Sequence, residues 1–520
     1  MQTTQQAAPA ARAAGSVKRA VQRHMYRWHR IIGLLTVVPV ILWTLSGLAH
    51  PLMSNWLRPK IARETLAPTP VVKPKVALRQ VLKQNQITSL RRVRVVQWQG
   101  QPAYQVQLGT EAPTAVPRYF SAETGQPLPV SADRQYAEQL ARYFTQDSTA
   151  QVSSAVRITG FDQEYKFVNR LLPVWRIALD RPDGLVVYVE TAPARLATFN
   201  NASRSAFIRV FDLFHNWSWL ELIGSNTFRV LTMLVLLGII IASAVSGLVI
   251  YGFMWKKFRQ PRNAQDRVGW LRKYHRQVGL AVALVTFTFA GSGAFHVYLK
   301  LHPDDRLRYQ HAPAVPTPAL AVDLTELPLA WESVQQVTLA ELSGQVYYQI
   351  FLLPAEKPTG PVAGASTGQP VEAVRATPVT YYNAATGQLL PDGATQYAAF
   401  LANSFLRQAG GGATPAMSGK PTLVDHFEGE YGFINKRLPV MKVAYNTPQQ
   451  TTLYVEPATG RLAARVENVA RYEGLSFAFL HKYHAAGELG KNIRDIITML
   501  AAAGVLAVSV LGLWLFIKMK

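Results

Sequence analysis

The chain of 520 residues contains no cysteine. That excludes disulfides, thiolate nucleophiles, cysteine-held iron–sulfur clusters and thioether-attached haem. It leaves 11 histidines and 9 methionines as ligands for a soft or borderline metal. Acidic residues are scarce: 31 Asp and Glu stand against 54 Lys and Arg, a formal net charge of +23. A basic balance of that size suits nucleic acid or a membrane surface. Here the charge is placed by topology. Lys18, Arg19, Arg23, Arg27 and Arg30 precede one apolar run, and Lys256, Lys257, Arg259 and Arg262 follow another. Arg267, Arg272, Lys273 and Arg276 precede a third, and Lys518 and Lys520 close the fourth. Basic residues crowding the ends of apolar runs mark the inner face of a membrane, so no nucleic-acid partner is expected. Neither a G-x-G-x-x-G in a strand–helix context nor a P-loop occurs, so any electrons must come from a separate reductase or from quinol.

The apolar runs predict an α-helical membrane protein with four transmembrane helices, at residues 28–53, 228–255, 276–299 and 493–520, the last with a short cytoplasmic end. A basic tail (1–27, flexible through Gly15) and a basic loop (256–275) are expected inside. No A-x-A site follows the first run, which reads as a retained anchor. Pro39 falls mid-span, and Trp28, Trp43 and Trp56 read as interfacial anchors. Residues 54–227 and 300–492 form two external α+β regions. In the first, a helix is predicted over 76–85, strands over 93–107, strand and turn over 119–129 with Thr124-Gly125 as the turn, a helix over 131–144 and a strand over 185–190.

The chain repeats itself. Trp28-His29-Arg30-Ile31-Ile32-Gly33-Leu34 opens the first span and Ser46-Gly47-Leu48-Ala49-His50 closes it. Tyr274-His275-Arg276-Gln277-Val278-Gly279-Leu280 and Ser292-Gly293-Ala294-Phe295-His296 do the same for the third. His29 to His50 and His275 to His296 are both 21 residues apart, roughly 31 Å along a helix, which places one histidine at each membrane surface. Glu164-Tyr165, Leu172-Pro173-Val174, Tyr188-Val189-Glu190 and His215 recur as Glu430-Tyr431, Leu438-Pro439-Val440, Tyr454-Val455-Glu456 and His481, all at an offset of 266. An internal duplication follows: span, external region, span, twice over, about a pseudo-two-fold axis along the membrane normal.

The His-Arg-x-x-Gly-Leu spans, the strand–turn signals of the external regions and the Leu/Phe-His segments before the returning spans resemble the PepSY-associated transmembrane family. That family includes iron-regulated inner-membrane proteins and haem b ferric-siderophore reductases. The resemblance implies a span–PepSY-like region–span unit used twice, a bacterial inner-membrane location with both termini cytoplasmic and large periplasmic regions, and two or more haem b groups. It implies an oxidoreductase that passes electrons across the bilayer to a periplasmic ferric siderophore or other ferric chelate, releasing Fe(II). Partners would be that substrate, the separate electron donor and the lipid, with an oligomer open. The alternative is a non-redox PepSY membrane protein that binds peptides or regulates a protease or transporter. A permease is disfavoured, since the spans carry no buried acidic residue.

Under the resemblance, haem b needs side-chain axial ligands, and paired imidazoles suit a low-spin electron-transfer centre. His29 and His275 are equivalent under the repeat and lead on the cytoplasmic side, with His24 a spare lacking a counterpart. On the external side His50 and His296 lead, His215 and His481 come next, and the pairing stays open. His484 aligns with Ser218. His302, His311 and His426 read as loop residues. Ser46-Gly47 and Ser292-Gly293 read as close-packing sites, with room for a flat porphyrin the alternative. Glu164, Glu430, Asp162 and Asp425 read as loop-fixing groups, with cation binding the alternative.

Overall fold

The computed structural model describes residues 9–255, 268–301, 308–354, 362–363, 370–371, 377–410 and 414–519. Lys256, Lys257, Arg259, Arg262, Arg267, His302 and Lys520 lie outside the described residues. Two compact units result, one of residues 1–58, 206–303 and 472–520, the other of 59–205 and 304–471.

Among the described residues the first unit contains four helices long and apolar enough to cross a membrane, His24–Trp56, Asn226–Phe253, Gly269–Leu301 and Lys491–Lys518. The chain is a multi-pass membrane protein. The first span packs on the second and fourth, and the third also packs on the second and fourth, so the first and third stand at opposite corners of the bundle. Small residues bring backbones close: Gly279 faces Val508, and Gly504 faces Val282, the device membrane helices use where no hydrophobic drive exists between them. Hydroxyls inside the spans are satisfied locally. Thr36, Thr44, Ser46 and Ser292 each donate to the carbonyl four residues back, as a helix in lipid requires. The first helix starts at Pro9 and runs to Pro51, so the segment expected to be flexible through Gly15 is helical from Pro9. Ala10, Ala11, Ala13 and Ala14 give it high intrinsic propensity. It also continues through Pro39. The membrane unit claims residues 206–225 and 472–490 as well, which include the helical turns carrying His215 and His481.

The second unit is α+β. The predicted helix over 76–85 is Leu78–Gln84. Strands Ser89–Trp98 and Gln101–Leu108 cover the predicted strands over 93–107 as a hairpin, joined by Arg118–Ser121 and by Val315–Pro316 at the other edge. Val334–Leu342, Gln345–Leu352 and Val379–Asn383 make a second antiparallel sheet with the same pairing scheme and a bulge at the equivalent place. The two hairpins share one core, with Leu90, Val93, Val95 and Tyr104 against Val334, Val337, Tyr348 and Ile350.

Two four-stranded antiparallel sheets follow, Val152–Ile158, Val174–Leu179, Val186–Glu190, Arg195–Asn200 and Thr422–Val424, Val440–Ala444, Thr452–Glu456, Arg461–Val466. Trp175 pairs with Val189 and Met441 with Val455, and each sheet has its register shift at Tyr188/Val189 or Tyr454/Val455. Order, register and bulge coincide at the sequence offset of 266. The peptide bonds before Pro173 and Pro439 are both cis. Helix Ala132–Thr145 lies between the first hairpin sheet and the first four-stranded sheet, and helix Gly393–Gln408 does the same in the second half. Their apolar stripes explain this placement: Tyr136, Ala137, Leu140 and Phe144 are buried in one, Tyr397, Ala398, Leu401 and Phe405 in the other. The repeated Tyr pairs stack, Tyr165 on Tyr188 at 4.8 Å and Tyr431 on Tyr454 at 4.3 Å.

The two halves differ at one turn. Ala194 takes a positive φ of 56° and its counterpart Gly460 takes 61°. A Cβ on Gly460 would run into the carbonyl oxygen of His311, whose backbone N–H also donates to Gly460 at 2.7 Å. Gly460→Ala therefore combines a backbone clash with a left-handed side chain. It should cost about 2 kcal/mol and lower the melting temperature of the extramembrane unit by about 3 °C, read by thermal denaturation of the purified protein.

Candidate functional site: histidines at both ends of the helix bundle

The first and third spans stand at opposite corners, yet each turns a histidine inward at the same end. The rings of His29 and His275 lie 6.4 Å apart, centre to centre, with planes tilted by 57°. His29 Nδ1 is 2.8 Å from the Ser246 hydroxyl on the second span. His275 Nδ1 donates to the Val508 carbonyl on the fourth span at 3.1 Å. All four helices thus converge on two rings. Gly247 and Gly512 make the approach possible, because a Cβ there would sit 3.3 Å and 3.1 Å from the Cε1 atoms of His29 and His275. In each ring Nδ1 is engaged by a neighbouring helix, the kind of contact that orients an imidazole. Two metal–nitrogen bonds of about 2 Å, extended to the ring centres, span about 6.3 Å.

At the other end the repeat places a second symmetric set. Ser46 Oγ is 3.0 Å from His215 Nδ1, and Ser292 Oγ is 3.1 Å from His481 Nδ1. Phe211 stacks on His215 at 4.5 Å and Phe477 on His481 at 4.6 Å. His50 packs against Phe211 at 5.4 Å and His296 against Phe477 at 4.8 Å, so a phenylalanine ring contacts both histidines of each half. Burial, and next to it the proximity of His481, pushes the His215 imidazole down to about 3. Burial and Lys482 push His481 down to about 4. Both rings are therefore neutral at physiological pH, the form that ligates metals. Trp43 is more than an interfacial anchor: its indole N–H donates to the His215 carbonyl at 2.9 Å and its ring meets Trp217 at 5.4 Å. Phe289 and Tyr483 form the equivalent pair at 5.7 Å. The halves differ at His296, whose Nδ1 lies 2.6 Å from the Glu473 carboxylate, a position held by Phe207 in the first half.

The other histidines sit elsewhere. His24 is exposed on the first helix. His484 packs edge-on to Phe479. His311 pairs with Glu341 at 2.6 Å, and His426 with Asp425 and Glu428 at 2.7 and 3.1 Å. Asp162 accepts the N–H groups of Glu164 and Tyr165, both at 2.7 Å, and Glu430 accepts from Tyr454 and Arg471. These carboxylates fix loops. Among the described residues no group of three or more His, Asp or Glu is placed to hold a metal ion; a group held by two imidazoles needs no such cluster.

Ser46, Ser292, Ser246, Gly247 and Gly512 are the residues whose role the sequence did not reveal. The two Ser-Gly steps four residues before His50 and His296 carried a signal, since both recur at the same spacing. Comparison with protein-family models and with curated proteins finds no match for this chain.

Proposed function

We propose that this chain is a duplicated PepSY-type inner-membrane haem b protein that carries electrons from the cytoplasmic to the periplasmic side and there reduces a ferric siderophore or related ferric chelate. The observation that carries the reading is the facing pair His29 and His275, 6.4 Å apart between opposite corners of the bundle with both Nδ1 atoms engaged. These two would hold one haem. His215 and His481, each oriented by a serine, would hold a second. His50 and His296 lie against the phenylalanines that stack on that pair. When bound, such groups supply one-electron transfer, and Fe(II), with lower charge density than Fe(III), is held less firmly by hard oxygen ligands.

The chain's own contribution is placement. Ser246 and the Val508 carbonyl fix the inner rings, and Ser46 and Ser292 fix the outer ones. Burial keeps His215 and His481 neutral. Ser46 lies 17 residues beyond His29, about 25 Å along the helix. Trp43 and Phe289 each stand three residues nearer the inner pair, so aromatic rings occupy part of that interval.

A reduced-minus-oxidised visible spectrum with haem quantified per chain tests the reading. Two low-spin b-type centres are expected. His215→Ala and His481→Ala should each remove one, while His50→Ala and His296→Ala should retain both. Proteoliposomes loaded with reductant should then reduce an external ferric chelate, followed with a coloured Fe(II) chelator. A colourless protein from haem-replete cells would overturn the proposal.

A further inference from the structure

The first helix is longer than a membrane needs. It runs from Pro9 to Pro51, 43 residues, where roughly 20 residues cross the hydrocarbon core. With His29 at the inner edge of that core, the helix continues from Arg30 backward to Pro9, about 30 Å beyond His29.

That extension is cationic and carries no counter-charge of its own. Residues 1–30 contain six Lys and Arg and no Asp or Glu. Five of the six are arginines, Arg12, Arg19, Arg23, Arg27 and Arg30, separated by 7, 4, 4 and 3 residues. At about 100° per residue those steps return to one side of a helix, within an arc of about 80°. Arg27 and Arg30 are exposed. The Arg30 guanidinium lies over the Phe516 ring of the fourth span at 5.1 Å, and the end of that span adds the exposed Lys518. The arginine face therefore leads to the end of the bundle where His29 and His275 meet.

Lipid headgroups account for only part of it. The headgroup layer is about 5–8 Å deep on each side of a bilayer. Arg27 and Arg30 fall within that depth of His29. Arg23, Arg19 and Arg12 stand about 9, 15 and 25 Å beyond it along the helix, where an anionic partner must come from solution.

We propose that this arginine face is the docking surface for the electron donor, and that the donor is a soluble, acidic protein that carries one electron at a time. The inference deepens the proposed function and rests on it. Charge complementarity supplies recognition and speeds encounter. The spans also disfavour quinol as the donor. Quinol oxidation releases two protons with its two electrons, so it needs a proton acceptor at the inner end. Across the four spans the only carboxylate is Asp495. It lies at the outer end, where Asn55 donates to it at 2.7 Å and Arg494 pairs with it at 3.0 Å. A one-electron carrier is oxidised by one unit as the inner ferric haem becomes ferrous, and no proton changes hands.

An acidic [2Fe–2S] ferredoxin is the probe, with the full chain held in nanodiscs of neutral phosphatidylcholine. Saturable binding is expected, weakened about tenfold or more from low to high salt. Arg12→Gln, Arg19→Gln and Arg23→Gln combined should weaken it about tenfold or more and slow haem reduction by the reduced ferredoxin, while dithionite still reduces the same amount of haem. Lys73→Gln, Lys75→Gln and Lys83→Gln combined remove equal charge from exposed positions of the extramembrane unit and should leave ferredoxin binding unchanged. A haem-loaded chain that does not bind ferredoxin, or equal losses in the two triple variants, would overturn the docking surface alone. So would an arginine variant that keeps ferredoxin binding and loses affinity for phosphatidylglycerol vesicles, which would assign the face to lipid. A colourless chain would overturn the reading of the histidines as well.

Discussion

Alanine at His29 or at His275 is expected to remove one b-type centre completely, halving the haem per chain and reducing transmembrane ferric reduction to background. The argument is geometric. Two imidazoles 6.4 Å apart, approached from opposite corners of the bundle, share one metal or none, so loss of either ring leaves a site with a single axial ligand. Ser246→Ala is a graded companion. It removes only the hydrogen bond to His29 Nδ1, and an outer-shell loss of this kind weakens a metal site about 10–100-fold without abolishing it. The expected order is therefore wild type, then Ser246→Ala with one loosely held centre, then His29→Ala with that centre absent. Visible spectra and haem extraction read all three. If His29 were an interfacial residue beside lipid headgroups, His29→Ala would leave the spectrum unchanged, and the conduit would be excluded.

That pair is legible in the amino-acid sequence, because a histidine 21 residues before another, twice, is a pattern within single helices. So are the four spans, the strands over 93–107, the turn at Thr124-Gly125, and the repeat at 266, which the matching registers of the two four-stranded sheets express directly. What is not legible depends on partners far apart in the chain. Ser46 meets His215 169 residues away and His275 meets a carbonyl at Val508 233 residues away, and a carbonyl has no sequence signature. Gly247 and Gly512 look like ordinary small residues until a ring is packed on them. The alternating strands Ser89–Trp98 and Gln101–Leu108 suggest one wet face, yet the paired Arg94 and Gln105 are buried, because a second core with Tyr119, Asp133 and Thr191 lies on that side. Alternation reports two faces; it does not report that both are covered.

Glu456→Gln should be the most destabilising single polar change in the extramembrane unit. Glu456 is 3% exposed and accepts from Arg195, Arg437 and Thr459. Burial by itself would raise this carboxyl, but Arg195 and Arg437 outweigh it and hold the group far below the usual carboxylate range. Glutamine preserves the shape and removes the charge. Arg195 keeps Glu190, whereas Arg437, 4% exposed, is left as a buried cation without a carboxylate, a change that costs about 3–5 kcal/mol when one member of a buried pair is lost. The pH dependence has a definite sign. A carboxyl depressed in the folded state contributes fully above its unfolded value of about 4.3, and that contribution is lost as pH falls through the folded value. Denaturant unfolding from pH 7 downward should therefore show wild type losing stability below about pH 4, with Glu456→Gln much less stable at pH 7 and flatter on the acid side. Arg461, the counterpart of Arg195 at the offset of 266, lies in the same cluster; burial, then Arg437 and Arg92, outweigh Glu190 and Glu456 there and bring its guanidinium down to about 9, so Arg461→Gln should raise stability. Two substitutions to glutamine within one ionic centre should move stability in opposite directions. A centre with balanced charge would lose stability at both.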